Sequence, residues 1–136
     1  MWTFEYYIET TASTSDIWEM LVDVENWNKW IGSLEYSTLD GNFENGTLGT
    51  CKNVKGSKST FRLKDVVVNK SFIMETKMPL CTADGVHEII NDNGSMKIKL
   101  GMNLYGPLTF IFKRLANKET ENIPISAKKL VELLEK

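Results

Sequence analysis

The sequence predicts an α+β fold: one strand, two short helices, six strands in hairpin succession, and a long interrupted C-terminal helix. Three observations carry this. The first ten residues alternate in polarity, the middle of the chain is punctuated by Asn-Gly and Asp-Gly pairs, and the C-terminal part returns to helical spacing.

Trp2, Phe4, Tyr6 and Ile8 fall on one face of an extended segment and Thr3, Glu5 and Glu9 on the other, so 2–10 reads as a half-buried strand. Ser13-Thr14-Ser15-Asp16 then supplies a hydroxyl for an amide three residues on and a carboxylate for the first turn, which starts a helix. Ile17, Trp18, Leu21 and Val22 form its apolar stripe. Trp27, Trp30 and Ile31 repeat the pattern in a second short helix ended by Gly32. From there Asp40-Gly41, Asn45-Gly46, Lys55-Gly56-Ser57, Asn69-Lys70, Asp84-Gly85 and Asn93-Gly94 mark hairpin turns. The runs between them, 34–39, 48–54, 58–67, 71–78, 86–91 and 95–104, are the expected strands. Pro107 opens the final helix, where its missing amide is no loss. Leu108, Ile111, Phe112 and Leu115 make one stripe and Ala127, Leu130, Val131 and Leu134 another. Between 115 and 127 the phase drifts by about 120° at ~100° per residue, so the helix must break, and Pro124 is the expected place.

With 136 residues the chain is the length of one domain, 1–136. Its 16 Lys+Arg against 18 Asp+Glu give a net charge of −2, without the basic stripe that nucleic-acid binding needs. No apolar run reaches the ~20 residues of a membrane span, and the N-terminus does not read as a signal peptide. A cytoplasmic protein with reduced cysteines is expected, and the sequons at Asn45, Asn69 and Asn93 read as turns. Cys51 and Cys81, with one histidine in the chain, are too few for a zinc site, so neither metal nor cofactor is expected.

In this order the chain resembles the START-like, polyketide cyclase/dehydrase (SRPBCC) superfamily, whose helix-grip fold also occurs in the birch pollen allergens and lipid-transfer domains. The residues that carry the resemblance are Asp16 through Trp30, with an Asp-x-x-x-Trp-x-x-Trp pattern from Asp23, then Gly46-Thr47-Leu48-Gly49-Thr50 and Gly106-Pro107-Leu108. The match runs from about residue 3 to 135. It implies a seven-stranded curved antiparallel sheet wrapped around the C-terminal helix, with a cavity between them for an apolar or amphipathic small molecule.

A sheet that curls this far has a concave face wider than one ~10 Å helix can fill, so large side chains or a ligand must take up the remaining volume. Met74, Met78, Met96 and Met102 join Phe72, Ile98 and Leu100 on the expected inner face. Such a wall serves either a plastic core or a variable apolar guest, and the resemblance favours the guest. The expected ligand-binding residues are Tyr36, Phe61, Leu63, Phe72, Met74, Met78, His87, Ile89, Met96, Ile98, Leu100, Leu108, Phe112 and Leu115. Trp18 and Trp27 read as core anchors, and Trp30 is a candidate for the mouth. Asn117 to Asn122, polar and just before Pro124, is a candidate gate.

Three functions compete. A non-enzymatic binding or transport protein leads, because the expected inner face has few convergent polar groups. A cyclase, aromatase or dehydratase would need an acid or base, for which His87 is the candidate, with Asp65, Tyr6 or Tyr36 beside it. A protein-interaction module would need an apolar patch outside the sheet, for which Leu39, Leu48 and Val54 are the candidates.

Overall fold

Every expected strand forms. In the computed structural model, which describes residues 1–136, the order is β1 (Trp2–Thr10), α1 (Thr14–Val22), a 3₁₀ turn (Val24–Lys29), β2 (Leu34–Leu39), β3 (Leu48–Asn53), β4 (Lys58–Val67), β5 (Ser71–Met78), β6 (Cys81–Asp92), β7 (Ser95–Tyr105), α2 (Thr109–Thr120) and α3 (Ile123–Leu134). The strands make one antiparallel sheet in the order β1-β7-β6-β5-β4-β3-β2, so six strands follow one another as hairpins and β1 closes the far edge against β7. The second short helix is a 3₁₀ turn rather than an α-helix.

α1 starts where the hydroxyl predicts, with Ser13 Oγ accepting from the Asp16 amide at 3.2 Å. Its Ile17, Trp18 and Leu21, followed by Trp27 of the 3₁₀ turn, are buried against one half of the concave sheet face. There they meet Phe61, Leu63, Phe72, Ile89, Met96 and Ile98. Ser37 Oγ donates to the Val24 carbonyl and ties the turn to β2. Ala127 and Leu130 of α3 complete the same core. The Glu135 carboxylate, just past α3, accepts from the Thr11 amide at 3.1 Å and the Thr11 hydroxyl at 2.8 Å, which fastens the end of the helix to the end of β1.

One turn lies elsewhere than expected. Asp84-Gly85 is not a turn but lies inside β6, paired with Glu75 and Met74 of β5. The chain reverses instead at Pro79-Leu80, where Leu80 takes a positive φ of 52°. Asp84 can sit mid-strand because Lys64 Nζ lies 3.1 Å from its carboxylate and the Tyr105 hydroxyl 3.2 Å. These groups, with Glu75, form a network on the outer face. Burial alone would lower the Lys64 ammonium, but hydrogen bonds to Tyr105, Glu75 and Asp84 outweigh it and hold it above its usual range.

The C-terminal helix breaks earlier than expected. α2 ends at Thr120, and Pro124 sits in the first turn of α3, where its missing amide costs no helical hydrogen bond. The expected stripe of the first half is also rotated. Ala116 and Thr120 are the buried residues of α2, while Ile111 and Leu115 are 53% and 61% exposed. Ala116 packs with Cys81 and Leu104, and the small side chains leave room above the sheet.

β3 and β4 meet over a glycine. A Cβ on Gly49 would lie 2.2 Å from the Phe61 ring, which is itself pinned by Trp27 at a centroid distance of 5.6 Å. Gly49→Ala is therefore expected to destabilise the protein by about 2 kcal/mol through overpacking, read as a Tm lower by about 8 °C in thermal unfolding. An unchanged Tm would mean that Phe61 moves aside without loss.

Candidate functional site

Half of the concave face remains open. The core closes one half, and beyond it a cavity of about 510 Å³ lies between the middle of the sheet, the β3–β4 hairpin and the C-terminal helix. Its floor is made by Met74, Thr76 and Met78 of β5, Ala83, Gly85 and His87 of β6, and Leu100, Met102 and Leu104 of β7. Phe112, Leu115 and Ala116 of α2 and Ile123 and Ser126 at the start of α3 form the roof. Trp27, Trp30, Ile31 and Leu34 close one end. Asn53, Ser57, Ser59, Glu119 and Asn122 bring polar groups to the rim.

Of the fourteen expected binding residues, Met74, Met78, His87, Leu100, Phe112 and Leu115 line this space. The others do not. Phe61, Leu63, Phe72, Ile89, Met96 and Ile98 share the concave face but lie under α1 and the 3₁₀ turn, where Trp18 and Trp27 fill the volume. Leu108 packs at the edge of the small cluster around Leu104. Tyr36 stands with its ring beneath Lys52 Nζ, 5.9 Å away, and does not line the cavity.

The candidates beside His87 separate from it. Asp65 is exposed on β4, where a register shift and its own φ of 52° turn it out of the sheet pattern. Tyr6 is half-buried against the core. Leu39 also packs on the core, whereas Leu48 and Val54 are exposed. Cys51 lines the cavity, and burial pushes its thiol up to about 11, so it is protonated and unreactive at neutral pH. Both cysteines are free.

His87 belongs to an aromatic stack. Its ring lies 4.3 Å from Phe72 and 6.3 Å from Trp27, within 10° of parallel to each. Strand register sets this up, because Phe72, His87 and Leu100 are directly opposite one another on β5, β6 and β7. Burial lowers the His87 pKa to about 4, against a weaker opposing pull from the Gly85 and Phe72 backbone. The neutral ring has Nδ1 at 3.2 Å from the Gly85 carbonyl oxygen, which can only accept, so Nδ1 carries the proton and Nε2 is left as an acceptor. Trp27 Nε1 donates to the Leu21 carbonyl at 2.8 Å. Trp30 Nε1, by contrast, is buried with no hydrogen-bond partner. No group of three or more His, Cys, Asp or Glu side chains is placed to hold a metal ion, and no helix is long and apolar enough to cross a membrane.

No protein-family model matches the sequence, and neither does any curated protein sequence. Solved structures do match. The di-domain ARO/CYC StfQ from the steffimycin biosynthetic pathway superposes with a TM-score of 0.75 at 12% identity over 98% of this chain, which spans 50% of that one. A START superfamily protein from Mycobacterium smegmatis gives 0.73 at 14% identity, covering 97% of this chain and 98% of that one. The fold is the START-like helix grip. Ara h 8.0201 has the same grip, at a TM-score of 0.71 and 15% identity over 98% of this chain and 97% of that one. In the helix grip of this chain the gripped element is two helices rather than one, and the cavity lies under their junction.

Sequence reasoning missed Gly85, Ala83 and Thr76, which share the parity of Met74 and His87 and so carried a usable signal. It also missed Glu119, Asn122 and Ser126, whose position depends on where the C-terminal helix breaks.

Proposed function

We propose that the protein, as one ligand-binding domain over 1–136, binds an apolar or amphipathic small molecule, lipid-like or polyketide-like, between the sheet and the C-terminal helix. The observation that carries the reading is the cavity of about 510 Å³ walled mainly by hydrocarbon and thioether groups. That size and character are those of small-molecule sites. Met74, Met78 and Met102 are flexible, polarisable wall groups that adapt to irregular guests. His87 Nε2 as an acceptor suits a ligand with a hydroxyl among its apolar atoms. An occupant would also restore the dispersion contacts that an unfilled apolar space forfeits.

A cyclase-type enzyme is the alternative, favoured by the place of His87 in the cavity wall. A general base works best with a pKa near the operating pH, and His87 at about 4 is a weak one. Binding without catalysis is therefore the reading adopted.

The test uses the cavity's own glycine. A Cβ on Gly85 would meet only His87 Cε1 at 3.6 Å and Met74 at 3.7 Å, which is ordinary contact. Gly85→Phe should keep the fold while occupying the space, and so weaken binding of a fluorescent anilinonaphthalene sulfonate probe by roughly ten-fold or more. Organic extracts of the wild-type protein should release a bound apolar molecule detectable by mass spectrometry. An empty extract together with equal probe affinity in the folded variant would defeat the reading.

A further inference from the structure

The first two turns of α2 present apolar side chains to solvent. Phe110 is 71% exposed, Ile111 53% and Leu115 61%. Leu80 is 67% exposed on the turn between β5 and β6, and its carbonyl accepts from the Leu108 amide at 3.0 Å, which brings that turn to the start of the helix. One corner of the molecule thus carries four large apolar groups that the fold leaves uncovered.

The charges interleaved with them are of one sign. From Gly106 to Lys118 the chain has Lys113, Arg114 and Lys118 and no acid, although its net charge is −2. All three cations are exposed and none takes part in an ion pair. Lys77, also exposed, precedes the Pro79-Leu80 turn. The acids Glu119 and Glu121 come only at the far end of the helix.

Aromatic and aliphatic groups beside unpaired cations on a convex helix face are the complement of an anionic lipid surface. The apolar groups enter the acyl boundary and the long basic side chains reach the headgroups. A second copy of the chain is a poorer partner, because a two-fold contact through this face would set Lys113, Arg114 and Lys118 against themselves. The geometry points to docking of this corner, α2 with the β5–β6 turn, on an anionic bilayer. The other side of the same helix lines the cavity through Phe112 and Ala116, with Leu115 at the border of both faces, so docking would hold the cavity beside the lipid. The docking does not require the cavity to hold a ligand, and the two are tested separately.

The experiment is co-sedimentation of the full chain with vesicles of phosphatidylcholine alone and of phosphatidylcholine with phosphatidylglycerol. The wild type should pellet with the mixed vesicles and stay in solution with the neutral ones. Lys113→Ala with Arg114→Ala should lower the partition by about 25-fold, at roughly five-fold per cation. Phe110→Ser with Ile111→Ser should lower it by about ten-fold or more. All four side chains are exposed, so both variants should keep the wild-type circular dichroism and probe affinity. Wild type absent from the mixed-vesicle pellet, equal binding to both vesicle types, or variants that partition like the wild type would overturn the proposal. So would a wild-type dimer on gel filtration that Phe110→Ser with Ile111→Ser makes monomeric, since the face would then belong to a second copy.

Discussion

Trp27→Ala should remove about 4 kcal/mol of folding stability, the size of effect that deleting a large buried aromatic produces. Trp27 is 1% exposed, lies parallel to Phe72 and His87, and packs on Phe61. Its indole also satisfies the Leu21 carbonyl at the end of α1, so truncation leaves both a void and an unpaired acceptor. Against the ~5–15 kcal/mol that holds a typical domain together, this brings the variant near unfolding. Urea denaturation gives the measurement. Trp27→Phe retains much of the ring packing and loses the hydrogen bond, so it should fall between wild type and Ala. A loss below about 2 kcal/mol for Trp27→Ala would mean that the aromatic stack is not the keystone of the core.

The second large effect depends on pH. His87 has a folded pKa of about 4 against an ordinary 6.5, because charging it in the aromatic stack means desolvating the imidazolium. The unfolded chain therefore binds the proton more readily than the folded one. Stability should fall as the pH drops from about 6.5 to about 4, by roughly 3 kcal/mol in total from this group, and be flat with respect to it above that range. Glu75 acts lower on the scale. Its carboxyl is held below the ordinary 4.5 by Lys64, so its contribution disappears only in stronger acid. His87→Gln should remove the slope between pH 6.5 and 4.5 whatever it does to stability at neutral pH. A variant with the wild-type slope would show that the buried imidazole is not the titrating group.

The strands were legible because alternation and turn residues are local. β2, β4 and β5 begin and end where 34–39, 58–67 and 71–78 were expected. Parity also identified the concave face, which holds Phe72 and Met74 on β5 and Ile98 and Leu100 on β7. Parity cannot say how far along a strand another element reaches. Phe72 and Met74 are two residues apart, yet one lies beneath Trp18 and Trp27 and the other borders the cavity. That difference comes from where α1 and the 3₁₀ turn cross the sheet, which is a tertiary fact with no trace in the strand itself. The turn at Pro79-Leu80 was hidden for a related reason. Asp84-Gly85 carries the stronger turn signal, and it is overridden by the ion pair with Lys64 and by pairing with β5 on one side and β7 on the other. On α2 the apolar spacing was real but split between two surroundings, Phe112 facing the cavity and Ile111 facing solvent, because periodicity reports a face and not the partner it meets.

The interruption at Glu121-Asn122 divides the labour of the C-terminal segment. Ala127 and Leu130 of α3 belong to the main core, while α2 gives Ala116, with Phe112 packed beside it, to a small separate cluster. Leu115 and Glu119, which are exposed and border the cavity, can therefore be exchanged with little effect on the residues on which folding depends. The roof over the cavity is thus the part of its wall least tied to the core, whereas the floor and one end, through Trp27, Trp30 and Leu100, are core residues themselves.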